Sequence, residues 1–597
     1  MTRNLDLWPI GNCQVSALVD RDGTMVWGCV PRVDGDPVFS MLLDTAQSSD
    51  PEASGFWSIM LEDCVSVTQD YVRNTPVLVS RHVDKTGNTI EVVDFCPRLR
   101  RAGRTYRPVA FARIVRPLSG SPRIRVRLRP AQWLASGARS SFGSNHVRYP
   151  LHTMDMRLTT DAPVSLVQEE QIFRVEQPLH FFFGVDESFA GDLRVTMDRM
   201  LAETITEWQL WVRGLATPQE WQDAVIRAAI ALKLCQHEET GAIVAALTTS
   251  IPEHDNSQRN WDYRYCWIRD AYYTVQALNR LGALDVLESY LGYLRNIVDA
   301  AHGGTIQPLY GVLGETRLEE RALGALRGYR GIGPVRIGNQ AYTQVQHDVY
   351  GQIILSSVHA FFDRRLLRAS GLEDFESLER VGECAWRLHD KPDAGLWELR
   401  TRQAIHTYSA AMCWAACDRL SNAARALELS DRAAFWSGRA AQIRARIEAA
   451  AWHEQAHSMS ATFDGLHLDA SLIQLLDLHF FAPSDQRFLG TLAAVEKGLR
   501  RGDHMLRYAT EDDFGLPVTA FNVCTFWLIE ALYITGRTED ARRLFEEMLS
   551  RRTAAGLLSE DMDPASGELW GNYPQTYSLV GIINCAALLS RPWRAVR

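Results

Sequence analysis

The sequence predicts a multidomain β + α protein. We expect an N-terminal antiparallel β-sandwich over residues 1–195, a helical linker over 196–217, and a C-terminal (α/α)6-barrel domain over 218–597. A chain of 597 residues is too long for one ordinary core. The first third holds many short strands punctuated by turns, which is typical of a β-sandwich. From about Thr196 the apolar residues recur every three or four positions, as they do in helices.

The β-sandwich domain opens with a hairpin signal. Val15–Asp20 and Met25–Val30 flank an Asp22-Gly23 pair, which favours a tight turn. Along Arg123–Arg129 apolar residues alternate with arginines, which predicts one face on the core and an arginine face in water rather than a polyanion site. Further strands are predicted over 56–61, 65–72, 77–83, 89–95, 111–115, 123–128 and, in pieces, 164–183.

A connecting helix over Thr196–Leu215 leads into twelve candidate helices. Gly or Pro marks most of their connections, and no sequence repeat of fixed period is visible. Twelve helices in pairs can close into a barrel of six inner and six outer helices, which we expect here in preference to an open bundle. The loops at one end of the inner ring would then form a pocket. The predicted ranges are 219–237, 267–282, 284–302, 339–364, 373–388, 402–420, 431–452, 469–480, 485–500, 518–536, 537–550 and 573–590.

Composition narrows the class of partner. The net charge of −9 argues against a nucleic-acid or anionic-membrane surface and suits a neutral substrate such as a sugar. The N-terminus has no apolar segment of signal-peptide length, and no run reaches transmembrane length. Eleven scattered cysteines without a Cys-x-x-Cys pair indicate reduced, buried thiols. We therefore expect a cytoplasmic protein.

One loop concentrates aromatic and charged residues. Arg259–Asp270 holds three arginines, two aspartates and four aromatic residues. Aromatic faces stack on sugar rings while charged groups bind hydroxyls, so this run is either a sugar platform or an ion-paired helix start with tryptophan in the core. The glycine-rich run Gly328–Asn339 fits neither Gly-x-Gly-x-x-Gly after a strand nor a Walker motif, so nucleotide binding is not predicted.

Two further loops supply carboxyl groups. In Pro392–Arg400, Glu398 follows Trp397, and burial against an apolar ring favours the protonated acid. The alternative is that Glu398 caps or salt-bridges a helix end. Glu560 and Asp561 precede the last helix and are, by themselves, more typical of solvated loop carboxylates. Two carboxyls facing each other roughly 6.5–9.5 Å apart would leave room for a water, as in inverting glycosidases.

The chain resembles glycoside hydrolase family 15, the glucoamylase- and trehalase-like group, in its bacterial form. The matching runs occur in the family's order along nearly the whole chain: 10–23 with Trp27 and 31–32, 240–246, 248–253, 259–270, 334–339 with Gln346, Asp348 and Gly351, 395–400, 526–527, 557–560 and 571–575. The resemblance implies the β-sandwich, the linker and the (α/α)6 barrel.

The resemblance also implies roles for individual residues. Glu398 is expected to be the general acid and Glu560 the general base that activates water. Arg269 and Asp270 match residues that hold hydroxyls of the non-reducing-end glucose. The remaining expected substrate-binding residues are Trp261, Trp397, Arg336, Asn339, Tyr342 and Gln346. No metal ligand set or cofactor is predicted. Glu238 and Glu239, like Glu511–Asp513, are expected to be solvated or in contact with sugar.

Three positions depart from the usual bacterial pattern. Ala410 replaces a lysine, Asp561 replaces a second glutamate, and Leu579 replaces a histidine. Both catalytic carboxylates are retained, so these departures bear on the leaving-group side of the pocket and hence on the choice of substrate.

The predicted function is therefore an exo-acting, inverting α-glucoside hydrolase releasing β-glucose from a small α-glucoside or short α-glucan. Trehalase-like and glucoamylase-like activities both remain open. The alternatives are a sugar-binding protein that kept the pocket without turnover, and an inverting phosphorylase with a phosphate site in place of the base. The expected partner is the small-molecule substrate, with a possible homo-oligomer.

Overall fold

A computed structural model describes residues 4–137 and 140–593. Strands dominate the chain up to Val185, and helices dominate from Leu193 onward. One apolar core extends from the strands into the helices, so the two parts pack against each other. Within the described ranges, no helix is long and apolar enough to cross a membrane.

The N-terminal part contains two large antiparallel sheets and one small hairpin. The first sheet has the order β1-β2-β3-β5-β12-β16, with β4 paired to β3, and the second has the order β13-β14-β15-β17-β11-β8-β7-β6. The strands are β1 Trp8–Gly11, β2 Ser16–Val19, β3 Met25–Val30, β4 Asp36–Phe39, β5 Phe56–Leu61, β6 Cys64–Tyr71, β7 Leu78–Asp84, β8 Thr89–Phe95, β9 Leu99–Arg101, β10 Arg104–Tyr106, β11 Ala110–Ser119, β12 Arg123–Arg129, β13 Ser141–Phe142, β14 His146–Pro150, β15 Asp155–Thr160, β16 Ile172–Arg174 and β17 Leu179–Val185.

The hairpin between β2 and β3 forms where the Asp-Gly pair predicts it. The Asp20 side chain accepts hydrogen bonds from the backbone N–H groups of Asp22 and Thr24 at 3.0 and 2.9 Å. Gly23 has a φ of +79°, a conformation that side chains disfavour. Local hydrogen bonding and one glycine therefore fix the turn.

The arginine face of β12 is only partly in water, which corrects the prediction for this strand. Arg123 and Arg125 are exposed, but Arg127 is buried. Its Nε donates to Glu170 at 2.9 Å, and its guanidinium also contacts backbone carbonyls near Asp50. The alternating pattern predicts which face of the sheet a side chain is on. It does not predict that Glu170, distant in sequence, covers Arg127 on that face.

The helices from Leu193 onward follow in the order expected from the sequence, whereas Val164–Gln168 forms a helix within residues 164–183, where only strands are predicted. The helices are α1 Val164–Gln168, α2 Leu193–Arg213, α3 Gln222–Leu234, α4 Ile268–Arg280, α5 Leu284–Ala301, α6 Asp348–Ser357, α7 Leu372–Leu388, α8 Thr407–Ala426, α9 Ser430–Ala451, α10 Gln474–Asp477, α11 Gln486–Leu499, α12 Asn522–Ile534, α13 Thr538–Ser550 and α14 Thr576–Leu589. Short strands between them are β18 Cys266–Trp267, β19 Leu309–Tyr310, β20 Arg321–Ala322, β21 Arg336–Ile337, β22 Trp452–His453, β23 Ser458–Met459, β24 Arg500–Arg501, β25 His504–Met505, β26 Ala520–Phe521, β27 Asp561–Met562 and β28 Leu569–Trp570.

The helices pack in a closed ring. α4 contacts α6, α6 contacts α8, and α8 contacts the short segment over residues 470–477; that segment contacts α12, α12 contacts α14, and α14 returns to α4. Outside this ring, α5, α7, α9, α11, α13 and α3 each pack on an inner member. This is the connectivity expected of six inner and six outer helices.

Two predicted helices are shorter than their patterns. The helix predicted over 339–364 begins only at Asp348, because Asn339 caps a 3-10 turn by accepting from the Ala341 N–H at 3.0 Å. The helix predicted over 469–480 is a 3-10 turn followed by the four-residue α10. Side-chain capping by asparagine and aspartate competes with regular helix at both places.

Glu238 lies between the two parts of the chain. It accepts from Arg98 at 2.9 Å, from Arg107 at 2.7 Å and from Lys233 at 2.7 Å, so it is not solvated as predicted. Although burial favours the protonated acid, Lys233 and Arg98 hold the pKa of Glu238 below its ordinary value. The eleven cysteines are free thiols, and all but Cys64 are buried.

Candidate active site

One pocket lies at the end of the ring where α4, α12 and α14 begin. Both Glu398 and Glu560 line it. The inner helices supply lining residues near their N-termini, and the loops before them supply the rest. The pocket is lined from residues 245–270, 339–344, 396–400, 507–521 and 560–577. Two carboxyl groups distant in sequence therefore meet at one cavity.

The loop that carries Glu398 is fixed by hydrogen bonds to Asp393. Asp393 Oδ2 accepts from the His347 N–H at 2.7 Å and from the Ser409 hydroxyl at 2.8 Å. Gly395 has a φ of +69°, and a Cβ there would lie 2.7 Å from the His406 ring. Glu398 itself has a φ of +58°, which side chains rarely adopt. Strain of this kind persists only where the surroundings fix it, and it clusters at functional sites.

The Glu398 carboxyl group is surrounded by donors. Its Oε1 accepts from Trp267 Nε1 at 2.6 Å and from Arg269 Nη2 at 3.0 Å. The sequence predicts that the Trp397 ring gives this carboxyl group an apolar environment, whereas the structure gives it two polar donors. Trp397 instead lines the pocket and donates from Nε1 to Asp469 Oδ2 at 2.9 Å. Its ring packs edge-on against Tyr508 at 5.9 Å.

Glu560 is held by backbone on both sides. Its N–H donates to the Asn572 carbonyl at 3.2 Å, and its carbonyl accepts from the Asn522 N–H at 3.0 Å. A Cβ at Gly571 would lie 2.8 Å from Glu560 Cβ, so a glycine is required for this approach. The Tyr263 hydroxyl donates to Glu560 Oε1 at 2.7 Å.

Two neighbouring rings connect the two carboxyl groups. Tyr263, which holds Glu560, and Trp267, which holds Glu398, pack edge-on with ring centroids 5.4 Å apart. Both rings come from the aromatic loop over 259–270. Acid and base candidates are therefore positioned by adjacent side chains of one short segment.

Glu560 belongs to a buried group of carboxylates. One oxygen from each of Glu253, Glu560 and Asp561 lies within 4.8 Å of the others. Burial, the charge of Asp561 and the charge of Glu253 raise the pKa of Glu560 well above its ordinary value. Arg507 contacts Glu253 and partly offsets this effect. Three oxygens are few for Mg²⁺ or Ca²⁺, and Arg507 and Tyr263 already bind two of the three carboxylates.

Arg269 and Asp270 lie at the buried inner end of the pocket. Arg269 donates from Nη1 to Gln346 Oε1 at 3.2 Å in addition to contacting Glu398. Burial raises the pKa of Asp270 to about 7, although Arg269 lowers it. Asp270 Oδ2 is buried and has no hydrogen-bond partner, although it lies 3.6 Å from Arg269 Nε. Buried polar atoms are normally satisfied, so this oxygen is an exception at a residue that lines the pocket.

The other predicted substrate-binding residues divide into two sets. Trp261 and Asn339 line the pocket. Arg336, Tyr342 and Gln346 lie behind the lining: Arg336 contacts the Trp261 ring, Tyr342 packs in the cluster that contains Trp267, and Gln346 holds Arg269.

The departures from the family pattern lie mostly away from the pocket. Ala410 and Leu579 are buried in the core and do not line it, so the structure does not connect them with the leaving-group side. Asp561 lies beside Glu560, with Oδ1 accepting from the Thr519 hydroxyl at 3.0 Å and Oδ2 unpartnered. Of the three, Asp561 is the one beside a candidate catalytic carboxyl group, and its charge helps to raise the pKa of Glu560.

Several residues that line the pocket are not among the predicted catalytic or substrate-binding residues. Tyr263 and Trp267 belong to the aromatic run, whose composition is a signal for them. Glu253, Arg507 and Phe514 line the pocket from segments whose local patterns carry no such signal. Arg507 and Glu253 are 254 residues apart in sequence, and only the fold brings them together.

Comparison with known proteins identifies the family. The model for "Glycosyl hydrolases family 15" matches residues 219–587, and the model for "Trehalase-like, N-terminal" matches residues 7–177. The chain belongs to glycosyl hydrolase family 15. This confirms the resemblance drawn from the sequence and the predicted class of enzyme, an α-glucoside hydrolase.

Similar proteins span nearly the whole chain of this family 15 member. A trehalase from Thermoplasma volcanium is 30% identical over 97% of this chain and 92% of its own length. A trehalase from Mycolicibacterium smegmatis is 29% identical over 98% of this chain and 90% of its own length. A bacterial glucoamylase solved in complex with acarbose is 13% identical, with a TM-score of 0.69 over 99% of this chain and 94% of that one. The last likeness confirms the fold: an N-terminal β-sheet domain followed by a helical domain.

Proposed function

We propose that this chain is a trehalase that cleaves the α,α-1,1 bond with inversion, Glu398 acting as general acid and Glu560 as general base. The observation that carries the proposal is that both carboxyl groups line one pocket, each hydrogen-bonded to one of two adjacent rings, Tyr263 and Trp267. Trehalose is the favoured substrate because the whole-length relatives compared here are named trehalases.

The reaction follows from the positions of these groups. Glu398 donates a proton to the glycosidic oxygen while Glu560 removes a proton from a water molecule on the opposite face of the sugar ring. The bond from C1 to the glycosidic oxygen breaks as the water oxygen bonds to C1. The attacked ring leaves as β-glucose, and the other ring leaves as α-glucose. Arg269, 3.0 Å from Glu398, stabilises the carboxylate that remains after proton donation.

The inner end of the pocket suits the attacked glucose. Arg269 and Asp270 line this end of the pocket, and guanidinium and carboxyl groups supply the donors and acceptors that sugar hydroxyls require. Trp397 and Trp261 provide aromatic walls, and Asn339 provides an amide. Arg336, Tyr342 and Gln346 would act on the substrate through Trp261, Trp267 and Arg269 respectively. The free thiols support a cytoplasmic location.

The test is ¹H NMR of the first-formed anomers from trehalose. Inversion yields equal amounts of α- and β-glucose before mutarotation, whereas α-glucose alone would contradict the proposal. Initial rates on maltose, isomaltose, kojibiose and nigerose are expected to fall below the rate on trehalose. A clear preference for any of these would refute the substrate assignment.

Glu398→Gln and Glu560→Gln are each expected to lower kcat by about two or more orders of magnitude with the fold intact. The matched control is Glu428→Gln, because Glu428 is exposed, lies outside the pocket and has a φ of +60°, close to that of Glu398. Near-normal hydrolysis by either pocket variant would overturn the assignment of roles.

A further inference from the structure

A layer of aromatic and guanidinium groups lies at the outer end of the pocket. Trp261, Arg400 and Phe514 line the pocket there and form what we call the mouth layer. The Arg400 guanidinium lies 4.0 Å from the centre of the Trp261 ring, and the Phe514 ring lies 5.1 Å from it. Arg400 and Phe514 are exposed, whereas Arg269 and Asp270 at the inner end are buried.

Glu320 holds Arg400 in this position. Its two oxygens accept from Arg400 Nη1 at 3.2 Å and Nη2 at 2.8 Å. The same carboxylate accepts from Arg336 Nη1 at 2.8 Å, and Arg336 in turn lies 4.8 Å from the Trp261 ring centre. A guanidinium held by both nitrogens has a fixed plane and direction.

The loop carrying Phe514 is joined to the loop carrying the acid. Asp513 Oδ2 accepts from the backbone N–H of Arg400 at 2.6 Å and of Thr401 at 3.3 Å. Arg402 Nη1 donates to the Glu511 carbonyl at 2.8 Å. The two backbone hydrogen bonds to Asp513 are sufficient to place Arg400 on the same side of the pocket as Phe514 and Glu398.

The position of Glu398 indicates what the mouth layer faces. A general acid must point at the glycosidic oxygen, so the sugar beyond that oxygen lies on the outer side of Glu398. Arg400 follows Glu398 by two residues and lines the same pocket. An edge-on aromatic pair with a fixed guanidinium is suited to one sugar ring, by ring contact and by hydrogen bonds to hydroxyls.

We propose that Trp261, Arg400 and Phe514 form the subsite for the departing glucose, and that Arg400, fixed by Glu320, determines specificity for that sugar. This inference rests on the proposed function. Arg400 and Phe514 bind the leaving group rather than the attacked ring, and Glu320, which does not line the pocket, holds Arg400 in place.

The experiment compares trehalose with α-glucosyl fluoride. Fluoride departs in place of a sugar, so hydrolysis of α-glucosyl fluoride uses the inner end of the pocket and needs no leaving-sugar subsite. Arg400→Ala is expected to lower kcat/KM for trehalose about 10- to 100-fold, the effect of losing a charged hydrogen bond, with little change for the fluoride. Arg400→Lys should be intermediate, because lysine keeps the charge but loses the planar fork.

Two further variants separate this role from damage to the acid loop. Phe514 lies on the other loop. Like Arg400→Ala, Phe514→Ala should lower kcat/KM for trehalose with little change for α-glucosyl fluoride. Arg402→Ala removes the contact with the Glu511 carbonyl without removing a pocket residue, and both substrates should remain within about threefold of wild type. If wild type cleaves both substrates, but Arg400→Ala and Phe514→Ala lower both equally or neither, the inference is overturned. If wild type cleaves neither, the proposed function fails instead.

Discussion

Tyr263→Phe removes one oxygen atom from the active site. The Tyr263 hydroxyl donates to Glu560 Oε1 at 2.7 Å, and the ring packs against Trp267 at 5.4 Å. Phenylalanine keeps the ring contact and deletes the hydrogen bond. The variant therefore measures the effect of the Tyr263 hydroxyl on Glu560 without removing the ring from the pocket wall.

The expected loss follows from the strength of that bond. A hydrogen bond to a charged group contributes about 1.5–3 kcal/mol. At about 1.4 kcal/mol per tenfold, kcat/KM for trehalose should fall about 10- to 150-fold. The pH profile should move as well. The Tyr263 hydrogen bond lowers the pKa of Glu560, so its loss raises that pKa, and the acid limb of kcat/KM should shift to higher pH.

The assay is kcat/KM for trehalose measured across the acid limb. Tyr265→Phe is the matched control, because the Tyr265 hydroxyl accepts the Gly338 N–H at 3.1 Å and Tyr265 does not line the pocket. It should retain the wild-type profile. A Tyr263→Phe enzyme with wild-type kcat/KM and an unmoved acid limb would show that the Tyr263 hydroxyl does not act on Glu560, and an equal effect from Tyr265→Phe would contradict a specific role for it.

Two other changes test the neighbours of the acid and the base. Asp561→Asn removes a charge that raises the pKa of Glu560, so the acid limb should move to lower pH, opposite to Tyr263→Phe; a shift in the same direction would contradict this. Gly395→Ala places a Cβ 2.7 Å from His406 at a φ of +69° and should lower both Tm and kcat. Gly502→Ala is the control, because Gly502 has a φ of +61° but a Cβ there would have no atom within 4 Å. This variant should lose only the backbone strain energy of about 1–2 kcal/mol in stability and should leave kcat unchanged. Equal kcat values for the two alanine variants would contradict the role of the close contact.

The order and type of most elements could be predicted because both depend on local patterns. The hairpin between Ser16 and Val30 follows from alternation and an Asp-Gly turn, and most helices follow from their apolar period. The failures have both local and distant origins. Asn339 and Asp469 cap 3-10 turns where apolar spacing predicts a continuing helix. Arg127 is buried because Glu170, distant in sequence, reaches it.

The sequence predicts several of the residues that line the pocket, but not the contacts among them. The sequence places Glu398 beside Trp397, yet the structure surrounds the carboxyl group with Trp267 and Arg269. The bond between Tyr263 and Glu560 joins residues 297 positions apart, and no local pattern predicts it. Contacts of this kind depend on which loops the ring of helices brings together, which is a property of the whole fold.

The division of labour between Glu398 and Glu560 has one direct test, rescue of Glu560→Ala by azide with α-glucosyl fluoride as substrate. Azide needs no base and can attack C1 from the space that the carboxylate occupied, on the face opposite the departing fluoride. If Glu560 is the base, the product is β-glucosyl azide, identified by the coupling of its anomeric proton in ¹H NMR. Formation of α-glucosyl azide, or an azide product from Glu398→Ala but not from Glu560→Ala, would contradict this assignment.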